Sequence, residues 1–521
     1  MFFIYGPPLS GKTTLAARLA RQLDLPLVDL DARITAEAGL SIPQLFERYG
    51  EAGFRQRESQ ALRQLSGAAE AVVALGGGAL LDHANRRLAE SLGGVLCLEA
   101  SLDTLLARLA QSASDRRAGR PLLDGNPETR LRDLLAARRA HYASFPRRLT
   151  VDRFSPEELV SQAQAALGAF RLRQMPPPYD VRIQPGGLDQ IGQALQARGQ
   201  NGPFALVTDE NIAPQYAGRV RRSLEAAGQA VEVILLPPGE AHKTIHTASV
   251  LWERFTRAGL ERRSTVLALG GGVIGDLAGF AASAYLRGVE WVNLPTSLLA
   301  MVDASLGGKT GIDLPQGKNL VGAFHAPRLV LADPDVLATL PPAELRSGLA
   351  EVVKHGLIAD PGLFELCAAG LPALSRDWPG VISRAVAVKA RIVEADPYEK
   401  GLRAALNLGH TVGHAVEQAS AYSLRHGEAI AIGLVAEARL AVRLGLAETA
   451  LPEQIAACLQ GLGLPVAIPA GLDPAHIRQA MDHDKKRTGG RQRFALPAAI
   501  GRVQVGVEAD WPGEQEQAVI Q

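Results

Sequence analysis

The sequence predicts an α/β fold in three parts: a parallel-sheet domain, a second α/β lobe, and a mainly helical lobe. Three observations predict it. Short apolar runs alternate with helical patterns over the first 165 or so residues, and again after residue 180. That alternation builds parallel sheets with helices on both faces. Pro176, Pro177 and Pro178 are consecutive; they cannot continue a helix and favour an extended spacer. From about residue 341 the helical patterns run on with few strand signals. The expected division is a domain over 1–168, a proline-rich linker over 169–179, an α/β lobe over 180–340 and a helical lobe over 341–521.

In the first domain, residues 2–5, 25–30, 71–75 and 95–98 read as strands, and 15–23 and 130–142 as helices. In the second part, 204–208, 231–235, 265–269 and 291–294 read as strands. In the third, 342–358, 381–394, 411–421 and 428–444 read as helices. The phrase Ala-Leu-Gly-Gly-Gly occurs at 74–78 and 268–272. It reads as two strand ends that approach ligands closely, not as a duplication.

Composition agrees. A chain of 521 residues exceeds one ordinary domain of roughly 150 residues, and 47% hydrophobic residues supply several cores. A net charge of +1 provides no global field, so neither nucleic acid nor a membrane surface is an expected partner. Cys97, Cys367 and Cys458 are too few and scattered for a disulfide framework or a thiolate metal site. That fits a reducing compartment and predicts a cytoplasmic location. The first residues, Met-Phe-Phe-Ile-Tyr-Gly, lack a basic leader and are too short for a signal peptide's apolar core. No stretch reaches the ~18 uninterrupted apolar residues of a membrane span.

Gly6-Pro7-Pro8-Leu9-Ser10-Gly11-Lys12-Thr13 fits the phosphate-loop pattern G-x-x-x-x-G-K-[ST], between a strand and a helix as the motif requires. Loop N–H groups and the helix N-terminus point at phosphate oxygens. Gly6, Ser10, Gly11, Lys12, Thr13 and Thr14 are the expected nucleotide contacts. Lys12 neutralises the terminal phosphates, and the Thr13 hydroxyl holds Mg²⁺. Asp29 and Asp31 end the run 25–30; alternate strand positions put both carboxylates on one face. One serves the metal, and the other orients or deprotonates an acceptor hydroxyl. Arg55, Arg120, Arg138 and Arg139 offer bidentate partners for a carboxylate. Gly76-Gly77-Gly78 lets backbone approach a small acceptor.

In order and spacing these pieces resemble shikimate kinase over nearly all of the first 165 residues. The matching pieces are the loop with Thr13-Thr14, Asp29-Leu30-Asp31, Phe54-Arg55, the glycine triplet, Arg120-Pro121-Leu122-Leu123 and Arg138-x-x-x-Tyr142. The resemblance implies a nucleoside-monophosphate-kinase-like fold and phosphorylation of shikimate by ATP with Mg²⁺ on Thr13 and Asp29. It implies that Asp31, Arg55, Gly77 and Arg138 bind shikimate. It also implies that Arg120, on a mobile lid, faces the transferring phosphoryl group. The sequence departs from the family at Pro7-Pro8, and at Ala140, where the family usually has proline. The second departure leaves Arg139 open as a substitute for Arg138.

In the second part, Gly270-Gly271-Gly272-Val273-Ile274-Gly275 satisfies G-x-G-x-x-G after a strand, but the acidic residue expected about 20 positions later is missing. Asp209 with Asn211, and Thr296 with Ser297, also close strands. Open α/β sheets bind ligands at those ends. His410 and His414 lie at i and i+4 on one helix face, His426 follows, and Glu351 lies upstream. A carboxylate with two imidazoles is a catalytic zinc set. Spacing alone makes both His410 and His414 ligands.

Residues from about 180 to 500 resemble 3-dehydroquinate synthase. The segments are Pro238-Gly239-Glu240-x-x-Lys243, 270–276, Arg287-Gly288-Val289, 295–303, 307–311, 317–322, 350–354, Asn407-x-Gly409-His410-Thr411-x-Gly413-His414 and His426-Gly427-Glu428. The resemblance implies a Rossmann-like lobe that binds NAD⁺ through Asp209, Asn211, Glu240, Lys243, Gly271, Gly272, Val273, Asp276, Thr296, Ser297, Lys318 and Thr339. It implies Zn²⁺, or Co²⁺, on Glu351, His410 and His426. His414 then becomes a residue for substrate phosphate and proton transfer, beside Lys309, Asp303 and Asn319. Arg287, Lys354, Lys389, Arg403, Asn407 and one of Lys485 and Lys486 are implied to line the substrate pocket.

The implied substrate, 3-deoxy-D-arabino-heptulosonate 7-phosphate, carries a carboxylate and a phosphate, which explains the cations. Oxidation at a ring hydroxyl, loss of phosphate, return of the hydride and ring closure give 3-dehydroquinate, so NAD⁺ is recycled. A homodimer through the synthase half is compatible with the resemblance. The competing reading is a metal-dependent polyol dehydrogenase fused to another small-metabolite kinase, such as a gluconate kinase. The dehydrogenase would release NADH and would not need the lysine cluster.

Overall fold

The computed structural model describes residues 1–111, 126–482, 492–509 and 511. The chain forms two compact units, Met1–Arg171 and Leu172–Gln521. In the first unit a five-stranded parallel sheet runs Leu27–Asp29, Val72–Ala74, Phe2–Tyr5, Gly94–Glu99, Arg148–Thr150. The central strand Phe2–Tyr5 is buried throughout. Its period of two sends Phe3 and Tyr5 into one core and Phe2 and Ile4 into another. Helix Lys12–Leu23 covers the second core with Leu15, Ala16, Leu19, Ala20 and Leu23.

One expectation changes here. The strand expected over 25–30 is only Leu27–Asp29, and Asp29 is the N-cap of helix Leu30–Ala38. Its Oδ1 accepts from the Ala32 N–H at 3.1 Å. An aspartate at the cap satisfies an otherwise orphaned helix donor, so the chain turns there. Asp31 therefore stands in the first helical turn and not on the strand, and strand alternation is not what brings the two carboxylates together.

In the second unit the parallel strands run Tyr179–Ile183, Leu329–Ala332, Glu290–Pro295, Thr265–Gly270, Phe204–Asp209, Val231–Leu236. Asp209, Gly270 and Pro295 thus end on one edge of the sheet. The linker expected over 169–179 begins with a strand, Ala169–Leu172, and Tyr179 already opens the next. Two antiparallel hairpins lie outside the expected elements: Lys309–Leu314 with Gly317–Phe324, and Arg493–Ala499 with Arg502–Glu508. Glycines at 311, 317 and 322 break the apolar alternation that would have marked the first.

The helical lobe contains Pro342–Ala359, Trp378–Ala395, His410–Ala419 and His426–Arg443. The last is buried along most of its length and packs on His410–Ala419. Their approach needs glycine. A Cβ on Gly433 would lie 1.9 Å from the Gly409 carbonyl oxygen. Glu437, 0% exposed, accepts from the N–H groups of Gly409, Thr411 and Val412 at 2.6, 3.1 and 3.2 Å. That anion sits at the helix N-terminus, where the dipole favours it. Among the described residues, no helix is long and apolar enough to cross a membrane.

Gly433→Ala tests the close crossing. In an exposed helix the change would gain about 1 kcal/mol of propensity. Here overpacking should outweigh it by roughly 1–3 kcal/mol, lowering the thermal midpoint. A midpoint at or above that of the parent would contradict contact at this distance.

Candidate functional sites

The first unit holds a cavity of about 870 Å³ at the C-terminal end of its sheet. The phosphate loop forms one wall. Gly6 has φ +135°, and a Cβ there would lie 2.5 Å from the Leu98 carbonyl oxygen. Gly11, with φ 92°, caps helix Lys12–Leu23. Pro7 does not disrupt the loop. Its carbonyl accepts from Lys12 Nζ at 2.8 Å and from Ser10 Oγ at 2.8 Å. Thr14 also lines the cavity. Thr13 Oγ1 donates to Asp29 Oδ2 at 3.2 Å.

Beyond the loop the cavity is lined by Asp31, Arg55, Glu58, Gly77 and Arg138. Burial, then the Asp29 charge, pushes the Asp31 carboxyl up. Its Oδ1 has no hydrogen-bond partner among the described residues. Arg55 Nη1 donates to Glu58 Oε2 at 2.6 Å, and Glu58 is 0% exposed. Burial raises the Glu58 carboxyl against the pull of Arg55. Three donors hold the Gly77 carbonyl: Tyr142 OH at 2.7 Å, Arg138 Nη1 at 3.2 Å and Tyr5 OH at 3.3 Å. Arg139 is exposed and is not among the cavity's lining residues, so Arg138 is the arginine placed at the site. Arg120 lies outside the described residues. Glu58 and Tyr5 were not anticipated; the i, i+3 spacing of Arg55 and Glu58 was the available signal for the first.

In the second unit the strand ends gather one group. Asp209 Oδ1 accepts from the N–H groups of Asn211 and Ile212, at 2.9 and 3.1 Å, and shapes its own turn. Gly271 caps helix Gly272–Ala284, which begins with Val273 in its first turn. A Cβ on Gly271 would lie 3.7 Å from Ser297 Oγ, and Thr296 N–H donates to Gly270 O at 2.9 Å. Helix N-termini of this kind favour phosphate. Lys243 Nζ donates to Asp276 Oδ2 at 2.7 Å and Asn319 Oδ1 at 2.5 Å, with Glu240 at 3.7 Å. Thr339 is bonded to the Tyr216 hydroxyl.

A second group centres on Glu351, 0% exposed on helix Pro342–Ala359. Its Oε1 lies 3.5 Å from His410 Nε2 and 3.5 Å from His426 Nε2. Atoms about 2.1 Å from a shared tetrahedral ion lie about 3.4 Å apart, so the spacing fits a metal. Among the described residues neither Glu351 oxygen has a hydrogen-bond partner, though the Lys354 ammonium pairs with Oε2. Burial raises the Glu351 carboxyl, but Lys354 and His426 bring it below its usual value. His410 Nδ1 faces Leu408 O at 3.0 Å, and His426 Nδ1 faces Glu417 Oε2 at 3.4 Å. Outer partners of this kind fix which nitrogen meets a metal. His414 is exposed, its ring 5.1 Å from that of His410 and 5.7 Å from that of His426. His410, His414 and His426 could also hold an ion together. The buried carboxylate favours the set with Glu351.

Around the metal candidates the cations are paired. Lys389 Nζ donates to Asp303 Oδ1 at 2.8 Å, and Lys354 stands 3.8 Å from the same oxygen. Burial opposes ionisation of Asp303, yet these two lysines hold its carboxyl well below the usual range. Arg403 Nη2 donates to Gly307 O at 3.1 Å. Lys309 pairs with Glu399, which accepts from Asn407 Nδ2 at 3.0 Å, and Lys318 Nζ donates to Glu417 Oε1 at 2.8 Å. Glu399 and Glu417 were not anticipated. Nor was His355, fully buried and 4.0 Å from Asp303 Oδ1, whose imidazole burial lowers to about 3. Arg287 is not brought to this group. It is exposed just before strand Glu290–Pro295, whose six residues carry the chain roughly 20 Å to the ligand edge. Lys485 and Lys486 lie outside the described residues.

Residues 8–167 match the shikimate kinase family model. Residues 233–347 and 348–487 match the 3-dehydroquinate synthase N-terminal and C-terminal models. A 3-dehydroquinate synthase from Synechococcus sp. is 45% identical over 353 residues, which is 66% of this chain and 95% of the relative. The structure of a 2-epi-5-epi-valiolone synthase from Streptomyces hygroscopicus, with NAD⁺ and Zn²⁺ bound, is 30% identical with a TM-score of 0.60. It covers 66% of this chain and 95% of that one. A 2-deoxy-scyllo-inosose synthase complexed with carbaglucose-6-phosphate, NAD⁺ and Co²⁺ is 27% identical with a TM-score of 0.60, over 65% of this chain and 94% of that one.

Glu58→Ala should destabilise the first unit by roughly 1–3 kcal/mol, because it removes the buried partner of Arg55 and leaves only Glu51 to hold it. Glu58→Gln, which keeps the shape and one acceptor, should cost less. Urea unfolding of the two variants checks this; equal losses would show that packing, not charge, is what Glu58 provides.

Proposed function

This chain belongs to the 3-dehydroquinate synthase family and carries a shikimate kinase domain over residues 8–167, and from that premise we propose how its residues divide the two reactions. In the first unit Lys12 neutralises the transferring phosphates of ATP, while Thr13 and Asp29 hold Mg²⁺; their 3.2 Å contact supports a shared ion. Asp31 takes the proton of the shikimate hydroxyl, and its raised carboxyl suits a base. Arg55, steadied by Glu58, and Arg138, steadied on Gly77, bind the shikimate carboxylate. Arg120 is the cation proposed to act on the transferring phosphoryl group.

In the second unit the carrying observation is that Glu351 Oε1 stands 3.5 Å from both His410 Nε2 and His426 Nε2. These three residues hold Zn²⁺ or Co²⁺, which supplies Lewis acidity toward a substrate hydroxyl. NAD⁺, bound by Asp209, Asn211, Glu240, Lys243, Gly271, Gly272, Val273, Asp276, Thr296, Ser297, Lys318 and Thr339, supplies the hydride acceptor. Lys354, Lys389, Arg403 and Asn407 bind heptulosonate phosphate, while Lys309, Asp303 and Asn319 orient it. His414, exposed beside the ligand pair, moves a proton at the substrate phosphate. The density of lysine and arginine favours a doubly anionic substrate over the polyol of a dehydrogenase. A homodimer through this unit and a cytoplasmic location complete the proposal. Exposed Leu320 and Phe324, on one face of the hairpin strand, supply an apolar surface for the first, and three unbridged cysteines are compatible with the second.

Two assays on the purified chain test the whole: ATP-dependent phosphorylation of shikimate, and phosphate release from heptulosonate phosphate with NAD⁺ and Zn²⁺. Lys12→Ala should abolish the first and spare the second. Equal loss of both in folded protein would refute separate sites.

His410→Ala and His414→Ala separate ligand from proton carrier. His410→Ala removes one of three protein ligands, so zinc per chain should fall steeply. His414→Ala should keep most of the zinc while turnover falls roughly 10²–10⁴-fold, as is typical of an acid–base residue. Equal zinc loss in both variants would restore the set of three histidines.

A further inference from the structure

Glu417 enters none of the roles above, yet its carboxylate is committed on both sides. It lies two turns after His410 on helix His410–Ala419, and is 6% exposed. A carboxylate taken from water is costly unless it is paired. Oε1 accepts from Lys318 Nζ at 2.8 Å. Oε2 faces His426 Nδ1 at 3.4 Å, and the opposite nitrogen of that ring, Nε2, faces Glu351 Oε1 at 3.5 Å.

The comparison with His410 gives Glu417 its meaning. The Nδ1 of His410 meets a neutral carbonyl, Leu408 O, at 3.0 Å. Both acceptors require Nδ1 to carry the proton, which leaves each Nε2 lone pair for a cation. Only at His426 is the acceptor an anion, which makes that imidazole the more basic donor. Lys318 comes from hairpin strand Gly317–Phe324, whereas His426 opens the long helix of the helical lobe. Lys318 also stands 4.4 Å from the centre of the Tyr422 ring, which holds the ammonium in place.

We propose that Glu417 is a positioning residue of the metal centre, which orients His426 as a ligand and ties it to Lys318 on the hairpin. This rests on the reading of Glu351, His410 and His426 as ligands. One carboxylate then answers to two lobes: a ligand that takes Lys318 changes the charge felt by His426.

Cobalt titration of the metal-free full chain, followed by its visible absorption bands, tests this. Glu417→Gln and Glu417→Ala should bind Co²⁺ roughly 10–100-fold more weakly than the parent, with shifted bands. Thermal midpoints of the metal-free proteins, expected to match the parent's for Glu417→Gln, separate this from a loss of fold. If Glu417→Ala does not fold, the isosteric glutamine variant decides. Cobalt affinity within about twofold of the parent, with unchanged bands, would overturn the positioning role. Lys318→Met should shift the bands without abolishing binding; unchanged bands would overturn the tie to the hairpin. His410→Ala guards the underlying reading. If it binds cobalt as well as the parent does, the ligand set is wrong, whatever Glu417 does.

Discussion

The synthase site is organised around one carboxylate that has no access to water. Glu351 is 0% exposed on a helix packed at the middle of its lobe. A buried charge is tolerated only when other charges or a metal surround it. Lys354, one turn further on the same helix, supplies the first compensation at Oε2. His410 and His426 approach Oε1 from two other helices. Lys354 in turn helps hold Asp303 ionised, and Asp303 anchors Lys389. Each charge in this chain is there because the previous one needs a partner. The glycine crossing at Gly409 and Gly433 is a consequence too, since it lets the two histidine helices pack closely enough to share one oxygen.

Both units place their chemistry at the carboxyl ends of parallel strands, and both use a glycine triplet there for different reasons. Gly76 stands where a Cβ would come within 2.6 Å of Glu58 Oε1 and 3.1 Å of Asp31 Oδ1, so its lack of a side chain makes room for two acids. At Gly271 and Gly272 the nearest atoms are Ser297 Oγ at 3.7 Å and Ala304 Cβ at 3.4 Å. There the space is open, and what glycine permits is close approach of a ligand to the start of a helix. Similar sequence thus serves acid packing in one site and backbone exposure in the other.

Much of this was legible in the sequence because it is local. The phosphate loop, the strand ends at Asp209 and Thr296, and helices such as His426–Arg443 follow from residues close along the chain. Periodicity placed most strands of both sheets within a few residues, but not Arg148–Thr150, Ala169–Leu172, Tyr179–Ile183 or Leu329–Ala332. The failures have a common cause. Asp31 was expected on a strand because propensity does not show that Asp29 would cap a helix. The hairpin carrying Lys309 and Lys318 has no apolar alternation to announce it. The acidic partners are remote: Lys318 and Glu417 lie 99 residues apart, and Lys309 and Glu399 lie 90 apart. A motif names the cation that meets substrate. It does not name the anion that holds the cation until then.

Those pairings bear on how a chain of net charge +1 can serve a strongly anionic substrate. Lys309 is held by Glu399, Lys318 by Glu417, Lys389 by Asp303 and Lys354 by Glu351. The pocket is therefore rich in cations but close to neutral, and general anions gain little by entering it. A ligand must compete with four built-in carboxylates, and only one whose anionic groups match several of these positions together can do so. Selectivity arises from that competition, because a partial match would leave acids and bases of a buried site unsatisfied. The pair exposed on both sides is the cheaper to exchange: Lys309 is 52% and Glu399 30% exposed at the side chain, against 7% for Lys389 and 1% for Lys354. Entry of substrate should thus begin at Lys309, whose ion pair with Glu399 is screened by water, while the two buried lysines keep Asp303 and Glu351 in place for the chemistry.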